Sequence, residues 1–220
     1  MTVVAAFDVD GTLTTRDCVV PFMRRVRGDV TLARRLARRS PALTLALVRR
    51  DRDALKAIGS DAAFGGLAVD DLRHEGERFA ELVAERHLRS DTVDRLRWHR
   101  EQGHLTVLVS ASFELYLDRL ASVLGAQAAL GTRLEVGADL RCTGALAGPN
   151  CRGPEKVRRL HTWLDRHHGG RPMVEVYAYG DSPGDRELLD DADHPVWVHG
   201  ALTRAVPSDE SDGSVRGNGR

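Results

Sequence analysis

Two aspartates, Asp8 and Asp10, stand at the end of a short apolar run near the start of the chain. Residues two apart on a strand point the same way, so these carboxylates repel each other unless a cation lies between them. Asp181 and Asp185 follow a second apolar run much later in the sequence. A few carboxylates, completed by water and phosphate oxygens, are the usual ligands of Mg²⁺ in proteins. We therefore predict a Mg²⁺ site built from Asp8, Asp10 and Asp181, in which Asp185 either binds the metal directly or orients a metal-bound water.

A second set of residues has the chemistry of a phosphate site. Ser110 lies where a predicted strand gives way to a helix, and backbone N–H groups there favour an anion. Ser112 either caps that helix or contacts the phosphate, and both readings remain open. Lys156 falls in the first turn of another helix, where a cation opposes the helix dipole unless it faces an anion. The other lysine of the chain, Lys56, is expected on the surface.

The elements that must position these residues alternate between apolar runs and helical patterns. Such alternation is typical of a parallel α/β sheet, in which ligands bind beyond the carboxyl ends of the strands. Asp8, Ser110 and Asp181 fall at three of those ends. The predicted strands are Val3–Val9, Leu105–Val109, Ala126–Leu130, Val174–Tyr179 and Val196–Val198, with a β-hairpin from Arg133–Val136 and Leu140–Thr143.

Between the first two strands the apolar residues recur at helical spacing, with no strand pattern. We therefore divide the chain into an α/β core (residues 1–15 and 90–204) and a helical cap (residues 16–89). The last residues, 205–220, are rich in Ser, Asp, Gly, Arg and Asn and are predicted to be a disordered tail.

The order and spacing of four motifs resemble those of the haloacid dehalogenase (HAD) superfamily of phosphohydrolases, in its phosphoserine-phosphatase-like branch. The resemblance covers about residues 3 to 200. It implies a Rossmann-like parallel sheet, with a small all-α cap of the C1 type inserted after the first strand. The motifs are Asp8-Val9-Asp10-Gly11-Thr12-Leu13-Thr14, Ser110-Ala111-Ser112, Gly153-Pro154-Glu155-Lys156 and Gly180-Asp181-Ser182-Pro183-Gly184-Asp185.

The resemblance also implies catalytic roles by position. Asp8 is matched to the nucleophile that forms an aspartyl-phosphate. Asp10 is matched to the general acid and base, and its backbone carbonyl to a metal ligand. Lys156 is matched to the group that neutralises the phosphate and the nucleophile. Asp181 is matched to a Mg²⁺ ligand, and Asp185 to a residue that supports the metal.

The resemblance further implies a set of phosphate- and substrate-binding residues. Thr12 is expected to hold the phosphate loop, and Ser110 to bind phosphate together with Ala111 and Ser112. In phosphoserine phosphatases a Glu nine residues after the nucleophile contacts the substrate amine, and here that position is Asp17. Their second motif usually has glycines after the Ser, which this chain replaces with Ala111 and Ser112. Phosphoserine is therefore one substrate among several that the sequence allows.

These residues predict a Mg²⁺-dependent phosphomonoester hydrolase that acts through an aspartyl-phosphate on a small soluble phosphate ester, phosphoserine-like or another metabolite phosphate. One alternative is transfer of the phosphoryl group to another alcohol, which product analysis with added acceptors would separate. Another is a phospho-accepting signalling domain, which has no use for a helical insertion of about 70 residues or for an acid-base group such as Asp10. A catalytically inactive binding module would lack the nucleophile or the lysine, and the chain has both.

Composition excludes further classes. The 32 basic and 32 acidic residues give a formal net charge of zero, so a nucleic-acid partner is not expected. No apolar stretch is long enough to span a bilayer, and the start of the chain has no secretory pattern. The cysteines, Cys18, Cys142 and Cys151, have no recognisable spacing, so we expect free thiols in the cytoplasm. Residues 30–50 are basic and amphipathic, so contact between the cap and an anionic membrane surface remains an option.

Overall fold

A computed structural model describes residues 2–202, so the predicted tail at 205–220 lies outside the described residues. The main sheet is entirely parallel and has five strands, in the order β3-β2-β1-β6-β7. A separate antiparallel hairpin pairs β4 with β5. The strands are β1 Thr2–Phe7, β2 Leu105–Phe113, β3 Ala128–Thr132, β4 Leu134–Val136, β5 Cys142–Leu146, β6 Val174–Gly180 and β7 His194–Trp197.

The α-helices of the described chain fall into two groups. Helices α1–α5 follow β1 before the chain reaches α6 and β2, as the helical spacing predicts. We call residues 19–86, which contain α1–α5, the helical insertion. The helices are α1 Val19–Arg27, α2 Asp29–Ala37, α3 Ser40–Arg49, α4 Arg52–Phe64, α5 Val69–Arg86, α6 Ser90–Glu101, α7 Glu114–Leu124, α8 Pro154–His167 and α9 Arg186–Asp191.

The two faces of β1 belong to two different hydrophobic clusters. Ala5 and Phe7 point into the larger cluster, which also contains residues of the helical insertion. Val4 and Ala6 point to the opposite face, where they pack with Leu160 of α8 and its neighbours. Because side chains alternate along a strand, the residue that follows Phe7 continues the face covered by α8. The sheet thereby directs the side chain of residue 8 toward the first turn of α8.

Aromatic side chains join the helical insertion to the α/β core. Phe22 of α1 lies 4.9 Å, ring centroid to ring centroid, from Tyr116 of α7, and Phe79 of α5 lies 5.2 Å from the same ring. Phe64 of α4 packs edge-on against Phe113, at the end of β2, at 4.9 Å. All five rings are buried. Edge-to-face pairs of this kind contribute beyond their buried area, so this aromatic cluster fixes one side of the insertion on the core.

The structure corrects one predicted boundary that bears on the phosphate site. β2 does not end at Val109 but continues to Phe113, because the pairing with β3 contains an irregularity between these two residues. Extra residues in one strand of a pair bend that strand and redirect its side chains. The segment from Ser110 to Ser112 is therefore irregular strand, and α7 begins after it, at Glu114. Within residues 2–202 no helix is both long and apolar enough to cross a bilayer.

Candidate active site

Three strand ends supply the predicted site residues. Asp8 follows β1 directly, and its backbone N–H donates to the carbonyl of Tyr179 in β6 at 2.9 Å. Ser110 lies in β2 and Asp181 follows β6, the two strands that flank β1. Because the three strands are parallel, these residues meet at one edge of the sheet.

Lys156 lies between two buried aspartates. Its Nζ atom donates hydrogen bonds of 2.5 Å to Asp8 Oδ1 and to Asp185 Oδ1. Lys156 is in the first turn of α8, on the same helix face as Leu160 and Leu164, which pack on the sheet. All three charged side chains are almost completely excluded from solvent. The carboxylates therefore give the ammonium the anionic partners that its place in the helix requires.

The pKa values in this cluster follow from burial and from charge. Burial, together with the Asp185 and Asp10 carboxylates, raises the pKa of Asp8 to about 7, and the Lys156 ammonium acts against this shift. Burial acts the same way on Asp185, but the ammonium and hydrogen bonds from Lys156 and Ser182 hold its pKa below the usual value. The two carboxylates raise the pKa of Lys156 despite its burial. For Asp8, unlike Asp185, the effect of burial outweighs the attraction of the Lys156 ammonium.

The donor set around Asp8 fits a hard divalent cation. One carboxylate oxygen from each of Asp8, Asp181 and Asp185 can be chosen so that all three lie within 4.8 Å of one another. Three carboxylates against the single Lys156 ammonium leave an excess of negative charge, and oxygen-only sites suit Mg²⁺. The carboxylate of Asp10 is not part of this group. The role of its backbone carbonyl as a metal ligand stays a prediction from the resemblance.

Gly11 and Thr12 bring the loop after β1 onto Asp181. The Oγ1 atom of Thr12 donates to Asp181 Oδ1 at 2.9 Å. Gly11 has a φ of +88°, and a Cβ atom there would lie 2.3 Å from Asp181 Oδ2. Glycine is therefore required at position 11, both for its positive φ and for the space that the carboxylate occupies.

Asp10 is fixed by hydrogen bonds outside the Asp8 cluster. Its Oδ1 accepts the backbone N–H of Cys18 at 2.9 Å, and its Oδ2 accepts the Ser112 hydroxyl at 2.7 Å. The Tyr116 hydroxyl in turn donates to Ser112 Oγ at 2.6 Å. Burial raises the pKa of Asp10, while the Ser112 hydrogen bond acts in the opposite direction. A carboxyl group with a raised pKa and a fixed orientation is suited to give and take a proton.

The sequence left two roles open for Ser112, a helix cap or a phosphate contact, and its hydroxyl group has a different partner in the structure. Ser112 neither caps α7, whose N-cap position is Phe113, nor has a hydroxyl free for phosphate, since it bonds Asp10. Ser110 is buried at the strand end, and its Oγ accepts the N–H of Ser112 at 3.2 Å. The Ala111 carbonyl accepts a hydrogen bond of 2.8 Å from Thr132 Oγ1. The role of Ser112 is therefore to orient Asp10.

Asp17 lies at the start of the helical insertion. Its carboxylate accepts the backbone N–H groups of Val19 and Val20, the first residues of α1, at 3.3 and 3.1 Å. The next residue, Cys18, donates its backbone N–H to Asp10, and the charge of Asp17 contributes to the raised pKa of Asp10. Asp17 thus caps a helix at the border of the site, and contact with substrate stays a prediction.

Lys56 corrects the expectation of a surface lysine, because it is buried on α4. Its Nζ atom donates to the Ala111 carbonyl at 2.8 Å and lies 3.8 Å from the ring centroid of Phe113. Burial lowers the pKa of Lys56 to about 8, and the carboxylates of Asp10 and Asp17 act against that shift. The inward face of α4 carries this lysine over the Ser110–Ser112 segment. A helical pattern in the sequence cannot predict the burial of Lys56, because that burial depends on which element α4 packs against.

Two further residues support the site and were missed from the sequence. Ser182 donates both its backbone N–H (3.0 Å) and its hydroxyl (2.7 Å) to Asp185 Oδ2. Arg89 donates through Nη1 to the carbonyl of Gly11 at 3.0 Å and pairs with Asp91 at 2.8 Å. The signal for Ser182 lay in its position before a Pro-Gly-Asp turn, where Ser commonly caps. Nothing in the local sequence distinguishes Arg89 from the many other arginines.

Sequence comparison finds relatives that match most of the chain and others that match about half of it. Protein CicA of Caulobacter vibrioides (strain NA1000 / CB15N) is 38% identical over 188 residues, which cover 86% of this chain and 82% of the relative. A histidinol-phosphatase of Neisseria meningitidis serogroup C is 31% identical over 102 residues, which cover 46% of each chain.

Solved structures share the fold. A protein of unknown function from Bordetella pertussis Tohama I matches with a TM-score of 0.71 and 28% identity, over 86% of this chain and 87% of that one. A substrate-bound phosphoserine phosphatase matches with a TM-score of 0.57 and 17% identity, over 87% and 83% of the two chains, which is a likeness of fold. The sequence model of haloacid dehalogenase-like hydrolases matches residues 5–190. The chain belongs to the haloacid dehalogenase-like hydrolase family.

Proposed function

We propose that this protein is a Mg²⁺-dependent phosphomonoester hydrolase that uses Asp8 as a covalent nucleophile. The observation that carries the proposal is the cluster in which Lys156 bridges Asp8 and Asp185, next to Asp181. In a purely structural buried ion pair, one carboxylate balances the charge of one ammonium. Here the negative charge is in excess, as a site that binds a metal together with a phosphate requires.

In the first step a carboxylate oxygen of Asp8 attacks phosphorus. The bond from phosphorus to the ester oxygen breaks, and Asp10 gives its proton to the departing alkoxide, which leaves as an alcohol. The product on the protein is an aspartyl-phosphate at Asp8. Splitting the displacement in two lowers the barrier of each part. Asp10 starts this step protonated, which its raised pKa supports.

In the second step Asp10, now a carboxylate, takes a proton from water while the water oxygen attacks phosphorus. The bond to Asp8 breaks, and inorganic phosphate is released. Ser112 and the Cys18 N–H keep the Asp10 carboxyl group in one orientation for both transfers. The Lys156 ammonium balances the charge of Asp8 and of the phosphate oxygens.

Mg²⁺, when bound, would offset negative charge on the transferring phosphoryl group. Asp8, Asp181 and Asp185 would hold it, with Thr12 and Ser182 orienting the last two carboxylates. We assign the remaining phosphate contact to Ser110, which is buried at the end of β2.

The substrate class we propose is a small phosphate ester, with residues 16–89 as the cap that selects it. The contact of Lys56 with the second motif, and the position of Asp17 beside Asp10, support a selecting role for this segment. We also propose a reducing compartment such as the cytoplasm, because Cys18, Cys142 and Cys151 are buried as free thiols.

The proposal is tested by hydrolysis of an aryl phosphate with Mg²⁺, with EDTA, and with Asp8→Asn. We expect activity that requires Mg²⁺ and disappears in the variant, while the exposed Asp165→Asn serves as a matched control with full activity. Acid-quenched enzyme should carry a phosphate that peptide mapping assigns to Asp8. Activity that survives EDTA or Asp8→Asn would refute the proposal.

A second arm addresses where the phosphoryl group goes. The reaction is repeated with added small alcohols, and the ratio of inorganic phosphate to transferred phosphate is measured. A hydrolase yields mainly inorganic phosphate. A screen of amino-acid, sugar and headgroup phosphates then ranks substrates by kcat/KM.

A further inference from the structure

Helix α3 presents an apolar face to solvent. Leu43 and Ala46 point inward, and the opposite side of the helix carries Leu45 and Val48, three residues apart. Leu45 is 49% exposed, Leu47 57% and Val48 77%. No charged residue interrupts the stretch from Ser40 to Val48. A short surface helix normally places polar residues on its outer side, so this face is unusual.

Arginines bracket the apolar face. Residues 34–52 contain seven arginines and one aspartate, a net charge of +6 in a chain whose formal net charge is zero. Arg35 and Arg39 interact with Asp61. The other five guanidinium groups are on exposed residues and form no hydrogen bond or ion pair with any residue of 2–202; they belong to Arg34, Arg38, Arg49, Arg50 and Arg52.

The acidic groups near this surface are already engaged. Asp29 pairs with Arg24, and Asp51 caps α4 by accepting the N–H of Ala54. Asp53 accepts the Asn150 side-chain amide at 2.8 Å. Five exposed arginines of α3 and its flanks therefore have no ion-pair partner within the described part of the chain.

We propose that α3 and its flanking arginines form a docking surface for a bilayer that contains anionic lipid. A helix of ten residues is about 15 Å long. Lying flat, it would place Leu45 and Val48 at the level of the acyl chains and its arginines among the headgroup phosphates. Arginine stems bury their methylene groups while the guanidinium stays in the polar layer.

Charge decides between this occupant and a second copy of the chain. Two copies that met through α3 would bring together two surfaces that each carry five unpaired arginines, and like charges in contact disfavour association. An anionic membrane offers headgroup phosphates to the exposed arginines and acyl chains to the apolar face. The proposal does not depend on the phosphatase activity proposed above, since it concerns only the outer side of the helical insertion.

The test is flotation of the full chain with vesicles of phosphatidylglycerol and phosphatidylcholine, and with vesicles of phosphatidylcholine alone. We expect binding to the anionic vesicles, and a loss of that binding as salt is raised. Leu45→Ser/Val48→Ser should reduce binding about tenfold, and Arg38→Gln/Arg49→Gln/Arg52→Gln roughly a hundredfold. Circular dichroism melting verifies that each variant is folded.

Matched controls lie elsewhere on the surface. Val123→Ser/Met173→Ser removes two other exposed apolar side chains, and Arg97→Gln/Arg158→Gln/Arg166→Gln removes three other exposed arginines. Both controls should bind anionic vesicles as the parent does. No binding to anionic vesicles, equal binding to neutral ones, or equal losses in the control variants would overturn the proposal. So would a dimer in sedimentation velocity that Leu45→Ser/Val48→Ser abolishes, which would identify α3 as a self-association surface.

Discussion

The ammonium of Lys156 lies 2.5 Å from a carboxylate oxygen of Asp8, and both groups are buried. Lys156 is one of two lysines in a chain that otherwise uses arginine for positive charge. A compact ammonium fits between Asp8 and Asp185, where a planar guanidinium with five donors would not. The pairing gives Lys156 a structural role, in addition to the catalytic role that we propose for it.

Replacement of Lys156 by Met should destabilise the protein near neutral pH by about 3–5 kcal/mol, because it leaves two buried carboxylates without a partner. The loss should shrink in mild acid, where Asp8 becomes protonated. Urea unfolding at the two pH values measures both effects. Lys56→Met is the matched control: it removes a buried ammonium bonded to a neutral carbonyl that Thr132 still contacts, so it should cost less. Equal losses for the two variants would contradict this account.

The stability of the metal-free protein should fall as pH rises from about 4 to about 7. The pKa of Asp8 is raised from 3.8 to about 7 in the folded state, so in this window the folded chain binds the proton that the unfolded chain has released. Asp10 acts in the same direction. Asp185, whose pKa is lowered, acts oppositely, and its contribution is lost only as pH falls below about 4.

Chemical denaturation across this pH range measures the slope. Asp8→Asn should flatten it, because the amide does not titrate. Mg²⁺ should stabilise the parent most at the upper end of the range, where the cation meets a charged Asp8. A slope that Asp8→Asn leaves unchanged would show that another group is responsible.

Gly11→Ala should weaken Mg²⁺ activation as well as the fold. The added methyl group would meet the Asp181 carboxylate at 2.3 Å and would also strain a residue with positive φ. Gly103 is the matched control, since it has a φ of +77° but open space around its Cβ position. Both variants should lose about 1 kcal/mol to strain. Only Gly11→Ala should raise the Mg²⁺ concentration needed for half-maximal activity, and an equal shift in Gly103→Ala would refute the role of the contact.

Gly76→Ala should destabilise the protein, although alanine is the better helix former by about 1 kcal/mol. Gly76 lies in α5 where that helix packs against α7, and a Cβ atom there would be 2.1 Å from the backbone oxygen of Leu115. A backbone atom cannot move aside without separating the helices. Gly59→Ala in α4 meets only the flexible end of Met23 and should be tolerated. Thermal melting compares the two; a stabilised Gly76→Ala would contradict the close packing.

The fold and the site were predictable to the extent that they rest on local patterns. Short apolar runs that end in Asp8 and Asp181 gave the central strands of the sheet, which the structure confirms. Parallel strands bring their carboxyl ends together, so the meeting of Asp8, Asp181 and Asp185 follows from the strand assignment. Lys156 was recognisable because a cation in the first turn of a helix needs an anionic partner.

What the sequence did not reveal depends on packing between distant elements. The extension of β2 to Phe113 arises from its irregular pairing with β3. The sequence of one strand does not show which strand it will pair with. Ser112 was ambiguous because its partner, Asp10, is 102 residues away in the chain. Lys56 was assigned to the surface because a helical pattern shows which residues share a face, but not what that face covers.

The aromatic cluster between the helical insertion and the core has a consequence for how this molecule can be divided. Phe22, Phe64 and Phe79 come from the insertion, whereas Phe113 and Tyr116 come from the core, and each set completes the other. Separating the helical insertion from the core would expose aromatic side chains of both parts to water. The insertion and the core should therefore melt in one calorimetric transition.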